Sequence, residues 1–408
     1  MAIPSPKPLF PKLAEFRTFS FEDFPTIEPL LDEPWKKKTW QWAFEFLNYI
    51  GRNKSEHTFG RFRNEVERFL NWVFLVKGIE IDKLRKQDIL EYADFCWKPP
   101  KAWISTGAYD RFELKNGQFS INKKWRPFRY RVSKASESEA DKSKYRPSQE
   151  SLAAVFTGLI AFYKYLMEEE YLYGNPVQLA KKDCRHFIKD SQVKEVKRLS
   201  EEQWEYLIQT CIDLADSDPL FERHLFLIAT LKSLFLRISE LSERKEWQPV
   251  MGHFWEDLDK NWWLKIYGKG RKIRDVTVPT NYLEYLVRYR RYRGQVDLPL
   301  SGENSPIIEK LRGTGGLTSR HLSRLVQEVF DEAYKRMSHS EGDDKARKLK
   351  EATTHWLRHT GASMEIERGR QMKDLSEDLG HASIATTDTI YVQSEDKKRA
   401  ESGKRRRV

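Results

Sequence analysis

Apolar residues return every three or four positions through TWQWAFEFLNYI (39–50) and TFGRFRNEVERFLNWVFLVKG (58–78), the spacing of amphipathic helices. Gly78 is placed to stop the second of these. RKQDILEYADFCWK (85–98) predicts a third helix, ended by Pro99 and Pro100. A longer helix is predicted in SQESLAAVFTGLIAFYKYLMEEEYLYGNPV (148–177), with Ser148 or Ser151 as cap and Gly174-Asn175-Pro176 as stop. The period fades elsewhere. Residues 1–34, rich in proline and acidic residues, read as a poorly ordered arm or cap, and 101–147 as an insertion without helical spacing. A charged linker over 181–198 leads to LSEEQWEYLIQTCIDLA (199–215), where Ser200 is placed to cap a new helix.

A second period enters further on. In WWLKIYGKGRKIRDVTVP (262–279) two short β-rich runs flank Gly268 and Gly270, which predicts a hairpin with a basic tip that includes Lys269 and Arg271. LTSRHLSRLVQEVFDEAYKRM (317–337) returns to helical spacing, with Arg320, His321 and Arg324 in its early turns. The pattern as a whole predicts a mainly α fold with a small β-hairpin or sheet, an α+β chain. At 408 residues it is too long for one ordinary core, so two domains are expected, one over 35–180 and one over 199–395, followed by a basic tail over 396–408.

Composition narrows the partner. The chain carries 72 basic and 61 acidic residues, a formal charge of +11, and so calls for a polyanion such as nucleic acid or an anionic membrane. Between Lys115 and Lys134 seven basic residues and no acidic one interleave with aromatics. Lys123, Lys124, Arg126, Arg129 and Arg131 there are candidate DNA contacts, with Trp125, Phe128 and Tyr130 either stacking on a ligand or pinning the loop to its own domain. Three widely spaced cysteines, Cys96, Cys184 and Cys211, give neither a disulfide framework nor a zinc pattern. The longest apolar stretch, HLFLIATLKSLFLRIS, is broken by Lys232, and MAIPSPKPLFPK has prolines where a signal peptide needs a helix. No membrane partner and a cytoplasmic, nucleoid-associated location are therefore expected.

Candidate chemistry gathers near the carboxyl end. In THWLRHTGASMEIERGRQMKDLSEDLGHASIATTDTIY (354–391), His355 and Arg358 are three apart and neighbours on one helical face, off the apolar stripe of Leu357, Gly361 and Met364. Thr354 is placed to cap that helix and Gly369 to end it. Gly380 is a helix C-cap that sets His381 at a helix end, and Tyr391 is the only tyrosine after Tyr334. Upstream, Arg237 interrupts the apolar run SLFLRISELS; a buried guanidinium needs an anion, either Glu240 or a ligand.

These four motifs in this order, LRISEL, GKG…R…VP, THWLRHTGAS and LGHASIATTDTIY, resemble the tyrosine recombinase or phage-type integrase family over roughly residues 200 to 393. The amino-terminal half is more loosely similar to the family's helical core-binding domain. The resemblance implies a site-specific recombinase that cuts and rejoins duplex DNA through a 3′-phosphotyrosyl intermediate. Related chemistry in type IB topoisomerase-like or telomere-resolving enzymes, or a non-catalytic DNA-binding protein on the same fold, are the alternatives. By matching position, Arg237 and Arg358 would clamp the phosphate, Lys269 would protonate the leaving 5′ oxygen, and His355 would accept the phenol proton. His381 would bond the phosphate, Tyr391 would attack it, and Glu240 would support Arg237. Arg271 and Arg320 are added as DNA contacts. The family implies no metal and no cofactor, double-stranded DNA as partner, a homo-tetramer of paired dimers on it, and an accessory bending or directionality protein as an optional further partner.

Overall fold

The computed structural model describes residues 3–130, 141–188, 197–268, 272–381 and 403–404. The chain divides into two compact units, Met1–Ser191 and Gln192–Val408. Among the described residues no helix is long and apolar enough to cross a membrane.

The first unit is built on α1 (Pro34–Asn53), α2 (Glu56–Trp72), α3 (Lys86–Trp97), α4 (Gln149–Glu168) and α5 (Pro176–Asp183). Their starts follow local chemistry: the side chains of Ser55, Ser148 and Asn175 accept from the backbone N–H groups of Thr58, Ser151 and Gln178. Gly78, with φ +68°, closes a short π-helical extension of α2, as its position predicts. The stop expected at Gly174-Asn175-Pro176 falls elsewhere. Helix α4 ends at Glu168, Glu170 turns into the left-handed region, and Asn175-Pro176 instead opens α5.

Residues 1–34 are no loose arm. Leu9, Phe10, Leu13, Phe16, Phe24, Ile27 and Leu31 are buried in the same core as Phe46, Phe59 and Phe69. The fully buried carboxylate of Glu67 on α2 accepts from the backbone N–H groups of Leu9 and Phe10 at 2.8 and 3.1 Å and from Arg111 Nε at 2.8 Å. Asn71, one turn on, accepts from the Lys7 N–H and donates to its carbonyl. Proline-rich sequence carries no period, so the pattern of residues could not announce this packing; the anchors lie on another element.

The insertion also packs down. Strands β1 (Phe112–Lys115) and β2 (Gln118–Ile121) form an antiparallel hairpin around Asn116-Gly117, both with positive φ, as a tight two-residue turn requires. Trp125 and Phe128 are buried, with the Arg111 and Arg68 guanidiniums over their rings. The aromatics therefore pin the loop rather than await a base. Arg126 donates to the carbonyls of Ala102, Lys123 and Trp125, which makes it part of the loop's framework. Lys123, Lys124 and Arg129 stay exposed, and Arg131 lies outside the described residues.

The second unit packs α6 (Glu201–Ser217), α7 (Glu222–Ser233), α8 (Leu283–Tyr292), α9 (Ser319–Glu341), α10 (Asp343–Glu351), α11 (Thr354–Glu367) and α12 (Met372–Leu379) with one sheet. Ser200 and Gln203 make a reciprocal capping box at α6. The sheet is antiparallel, β3 (Phe254–Glu256), β4 (Trp262–Tyr267) and β5 (Ile273–Val278) in that order, and Leu264, Ile266, Val276 and Val278 face the core. Helix α7 is buried nearly all round, and α11 crosses it at Gly361, where a Cβ would stand 2.1 Å from the Lys232 carbonyl oxygen.

Removing Glu67 leaves two buried backbone N–H groups without an acceptor and Arg111 without its counter-charge, a loss of roughly 3–5 kcal/mol for breaking a buried charge pair. Glu67→Ala should lower the unfolding free energy of the first unit by that amount and open the bonds after Lys12 and Arg17 to trypsin under native conditions, where the parent should be cleaved more slowly at both.

Candidate active site

The site begins where α7 ends. Phe235 adopts φ +52°, a conformation that side chains other than glycine adopt at some strain, and the chain leaves the helix to present Arg237 in extended backbone. The Phe235 carbonyl is not left free: Arg358 Nη1 on α11 donates to it. Arg358 Nη2 donates to the Leu379 carbonyl at 2.6 Å and stands 3.2 Å from His381 Nε2. The end of α7, the middle of α11 and the end of α12 are thus joined by one guanidinium. Although His355 and Arg358 share a helical face, the structure separates their surroundings, with Arg358 buried and His355 only partly covered and reaching the surface.

Glu240 sits beneath this cluster with 1 % of its side chain exposed. Its Oε2 accepts from the Arg237 backbone N–H at 2.8 Å and its Oε1 from Arg237 Nη1 at 3.2 Å, so the internal pair expected from LRISEL exists. A second arginine shares the carboxylate. Arg274 on β5 donates from Nη1 to Oε1 at 2.8 Å and from Nη2 to Oε2 at 3.0 Å. Burial works against charge on Glu240, but the Arg274 hydrogen bonds and the charges of Arg274 and Arg358 hold its carboxyl below its ordinary value.

One carboxylate among Arg237, Arg274 and Arg358 leaves the cluster short of negative charge. Burial, then Arg237, brings Arg358 down to about 9, which still leaves it charged at neutral pH. Burial followed by Arg358 and Arg237 lowers His355 and takes His381 to about 4, so both imidazoles are neutral at pH 7. A third imidazole, His359, packs its ring edge-on to His355 with centroids 4.3 Å apart, and burial and its neighbours take it to about 4 as well. Permanent cations beside neutral proton acceptors suit a mono-anionic, tetrahedral ligand whose charge rises during reaction. Among the described residues no group of three His, Cys, Asp or Glu could hold a metal ion.

Of the residues singled out by sequence, Arg237 meets Glu240 and Arg358 meets His381 directly, the two pairs lie within electrostatic reach of each other, and His355 lies within reach of both arginines. Arg320 is exposed in the first turn of α9. Lys269, Arg271 and Tyr391 lie outside the described residues. Sequence reasoning counted Arg274 only among the basic residues of the hairpin and gave it no role, although a signal was present: it has the parity of Val276 and Val278, the inward positions of β5, and a charge on that face demands a counter-ion. Asp378 was also missed. Its carboxylate accepts from the Thr277 N–H at 3.1 Å and hydroxyl at 2.6 Å and from Arg370, tying α12 to the edge of β5. No spacing relates residues a hundred positions apart.

Because the folded pKa of His381 lies below the unfolded value near 6.5, the unfolded chain binds the extra proton first. The contribution of neutral His381 to stability is present above pH 6.5 and is lost as pH falls from there toward 4. Chemical denaturation at pH 7 and pH 5 should show this loss, and His381→Asn should have a shallower pH slope than the parent; an equal slope would place the titration on other groups.

Known proteins resemble this chain in sequence and in fold. Residues 197–398 match the phage integrase family. The chain is 26 % identical over 251 residues to the tyrosine recombinase XerC of Bacillus licheniformis, covering 61 % of this chain and 72 % of that one. It is 28 % identical to XerC of Chlorobaculum parvum, over 58 % of this chain and 67 % of the relative. Among solved structures, the XerH recombinase on a palindromic difH substrate, a post-cleavage complex, aligns over 98 % of this chain and 99 % of its own with a TM-score of 0.53 at 14 % identity. The Tn1549 transposon integrase with circular intermediate DNA aligns over 86 % and 94 % with a TM-score of 0.50 at 16 % identity. These likenesses extend the shared fold to both units. Through residues 197–398, the chain belongs to the phage integrase family, the tyrosine-type site-specific recombinases.

Proposed function

We propose that this recombinase cuts and rejoins duplex DNA by transesterification, with the phenol oxygen of Tyr391 attacking a phosphodiester held by Arg237 and Arg358. The observation that carries the proposal is the excess of positive charge around Glu240 beside two neutral histidines. A phosphodiester resists attack because its own charge repels the nucleophile and grows in the transition state. Guanidiniums fixed by Glu240, Phe235 and Leu379 meet that charge with no reorganisation.

Each proton then has a place to go. A phenol with pKa near 10 is only about one part in a thousand ionised at neutral pH, so a base must remove its proton. His355, neutral and exposed, takes it. As the bond from phosphorus to the 5′ oxygen breaks, Lys269 protonates the leaving oxygen, and the 3′ phosphate stays esterified to Tyr391. Attack by a 5′ hydroxyl on that ester reverses the steps and restores a phosphodiester, which is why no external energy source is required. His381, 3.2 Å from Arg358, bonds a non-bridging oxygen. Double-stranded DNA is the substrate; exposed Lys123, Lys124 and Arg129 in the first unit, with Arg320 in the second, contact its backbone. Exchange of strands requires two sites and hence paired dimers, and an accessory bending or directionality protein fits such an assembly.

Nicked suicide duplexes incubated without metal should yield a denaturation-resistant protein–DNA band with the parent, whereas Tyr391→Phe shifts the same duplex on a native gel and gives none. Cleavage by Tyr391→Phe would remove that residue from the mechanism. Neutralising Lys123, Lys124 and Arg129 together should reduce the slope of log affinity against log salt by about 2–3, since each phosphate contact contributes about 0.9. An unchanged slope would make those side chains solvent-facing only.

A further inference from the structure

Arg274 has an environment unlike that of the other two arginines. All three of its nitrogens donate to the protein: Nη1 and Nη2 to Glu240, and Nε to the Asp378 carbonyl at 2.9 Å. Its side chain also occupies the space in front of two glycines. A Cβ on Gly268 would lie 2.9 Å from Arg274 Nη1, and one on Gly380 would lie 3.0 Å from Cδ and Nε. Gly268 closes the stem of the hairpin, its N–H donating to the Lys272 carbonyl at 2.7 Å, and immediately precedes Lys269. Gly380, with φ +61°, ends α12 and immediately precedes His381. A single planar side chain therefore touches the carboxylate that holds Arg237, the residue before Lys269 and the residue before His381.

We infer that Arg274 is a positioning residue for the transesterification proposed above, fixing Arg237 through Glu240, the hairpin stem through Gly268 and the end of α12 through the Asp378 carbonyl. The assignment explains two motif glycines as one packing requirement. It also explains why an arginine is needed: a planar fork can meet both carboxylate oxygens while its Nε points the other way to a carbonyl, and an ammonium cannot span that arrangement. Because its charge is matched by both oxygens of the Glu240 carboxylate, Arg274 acts through other residues, whereas Arg358, bonded to two backbone carbonyls and a neutral imidazole, keeps its charge for the phosphate.

The inference rests on the proposed function, and its test separates the two. Suicide-duplex cleavage rates would be measured for the parent, Arg274→Gln, Glu240→Gln and the double variant, with duplex affinity measured alongside. A misplacement of reacting groups by about 1 Å reduces rates about 100-fold. Each single variant should lose about that factor while binding the duplex within about threefold of the parent, and the double variant should be little worse than either single one, because both act on one unit. Losses that multiply to about 10⁴-fold, or a single variant that cleaves like the parent, overturn the inference. Should Arg274→Gln not fold, Arg274→Lys supplies the test, with an expected loss of about tenfold; a parental rate would overturn it. Hydrogen exchange gives a readout independent of cleavage. In Arg274→Lys, amides of 262–268 and 372–381 should exchange faster together, and unchanged exchange in both segments overturns the tie. A parent that forms no covalent complex on any duplex would instead sink the recombination reading, leaving exchange to decide the role of Arg274.

Discussion

The buried carboxylate of Glu240 is the constraint around which the second unit is arranged. A charge taken out of water must be matched, and two guanidiniums match it from different elements, Arg237 from the end of α7 and Arg274 from β5. The pairing does more than neutralise. It fixes Arg237 at both its backbone N–H and its side chain, while Arg358, bonded to backbone carbonyls, adds a positive charge that no carboxylate of its own offsets. Stability and chemistry here use the same charges: the protein neutralises part of the cluster and leaves the remainder for an anion.

The histidines follow from that surplus. A partly buried imidazole placed among guanidiniums is disfavoured as a cation, so His355 is shifted downward and His381 to about 4, and both can accept protons or hydrogen bonds at neutral pH. Backbone geometry serves the same end. The strained turn at Phe235 aims a carbonyl at Arg358, the left-handed Gly380 releases the chain toward His381, and Gly361 lets α11 approach α7 closely enough to bring Arg358 to both.

In the first unit a different buried carboxylate plays the organising part. Glu67 gathers two backbone N–H groups from the amino-terminal segment and Arg111 from the insertion, so both stretches that lack any hydrophobic period become part of one core. The insertion keeps an exposed basic edge, Lys123, Lys124 and Arg129, while its aromatics and Arg126 serve the unit itself.

The sequence alone determined what is local. Helices with unbroken spacing, the caps at Ser148 and Ser200, the stops at Gly78 and Gly380 and the hairpin around Gly268 all depend on a few consecutive residues, and each lies where the pattern put it. The ordered motifs made the family legible, and with it the partnership of Arg237, Arg358 and His381. Only the tertiary structure decided the rest. That residues 1–34 pack into a core, that Trp125 and Phe128 are pins, and that Arg274 and Asp378 tie β5 to α12 depend on partners many tens of residues away. Hydrogen-bond accounts of buried charges close in space and not along the chain, and no periodicity records where their partners are found.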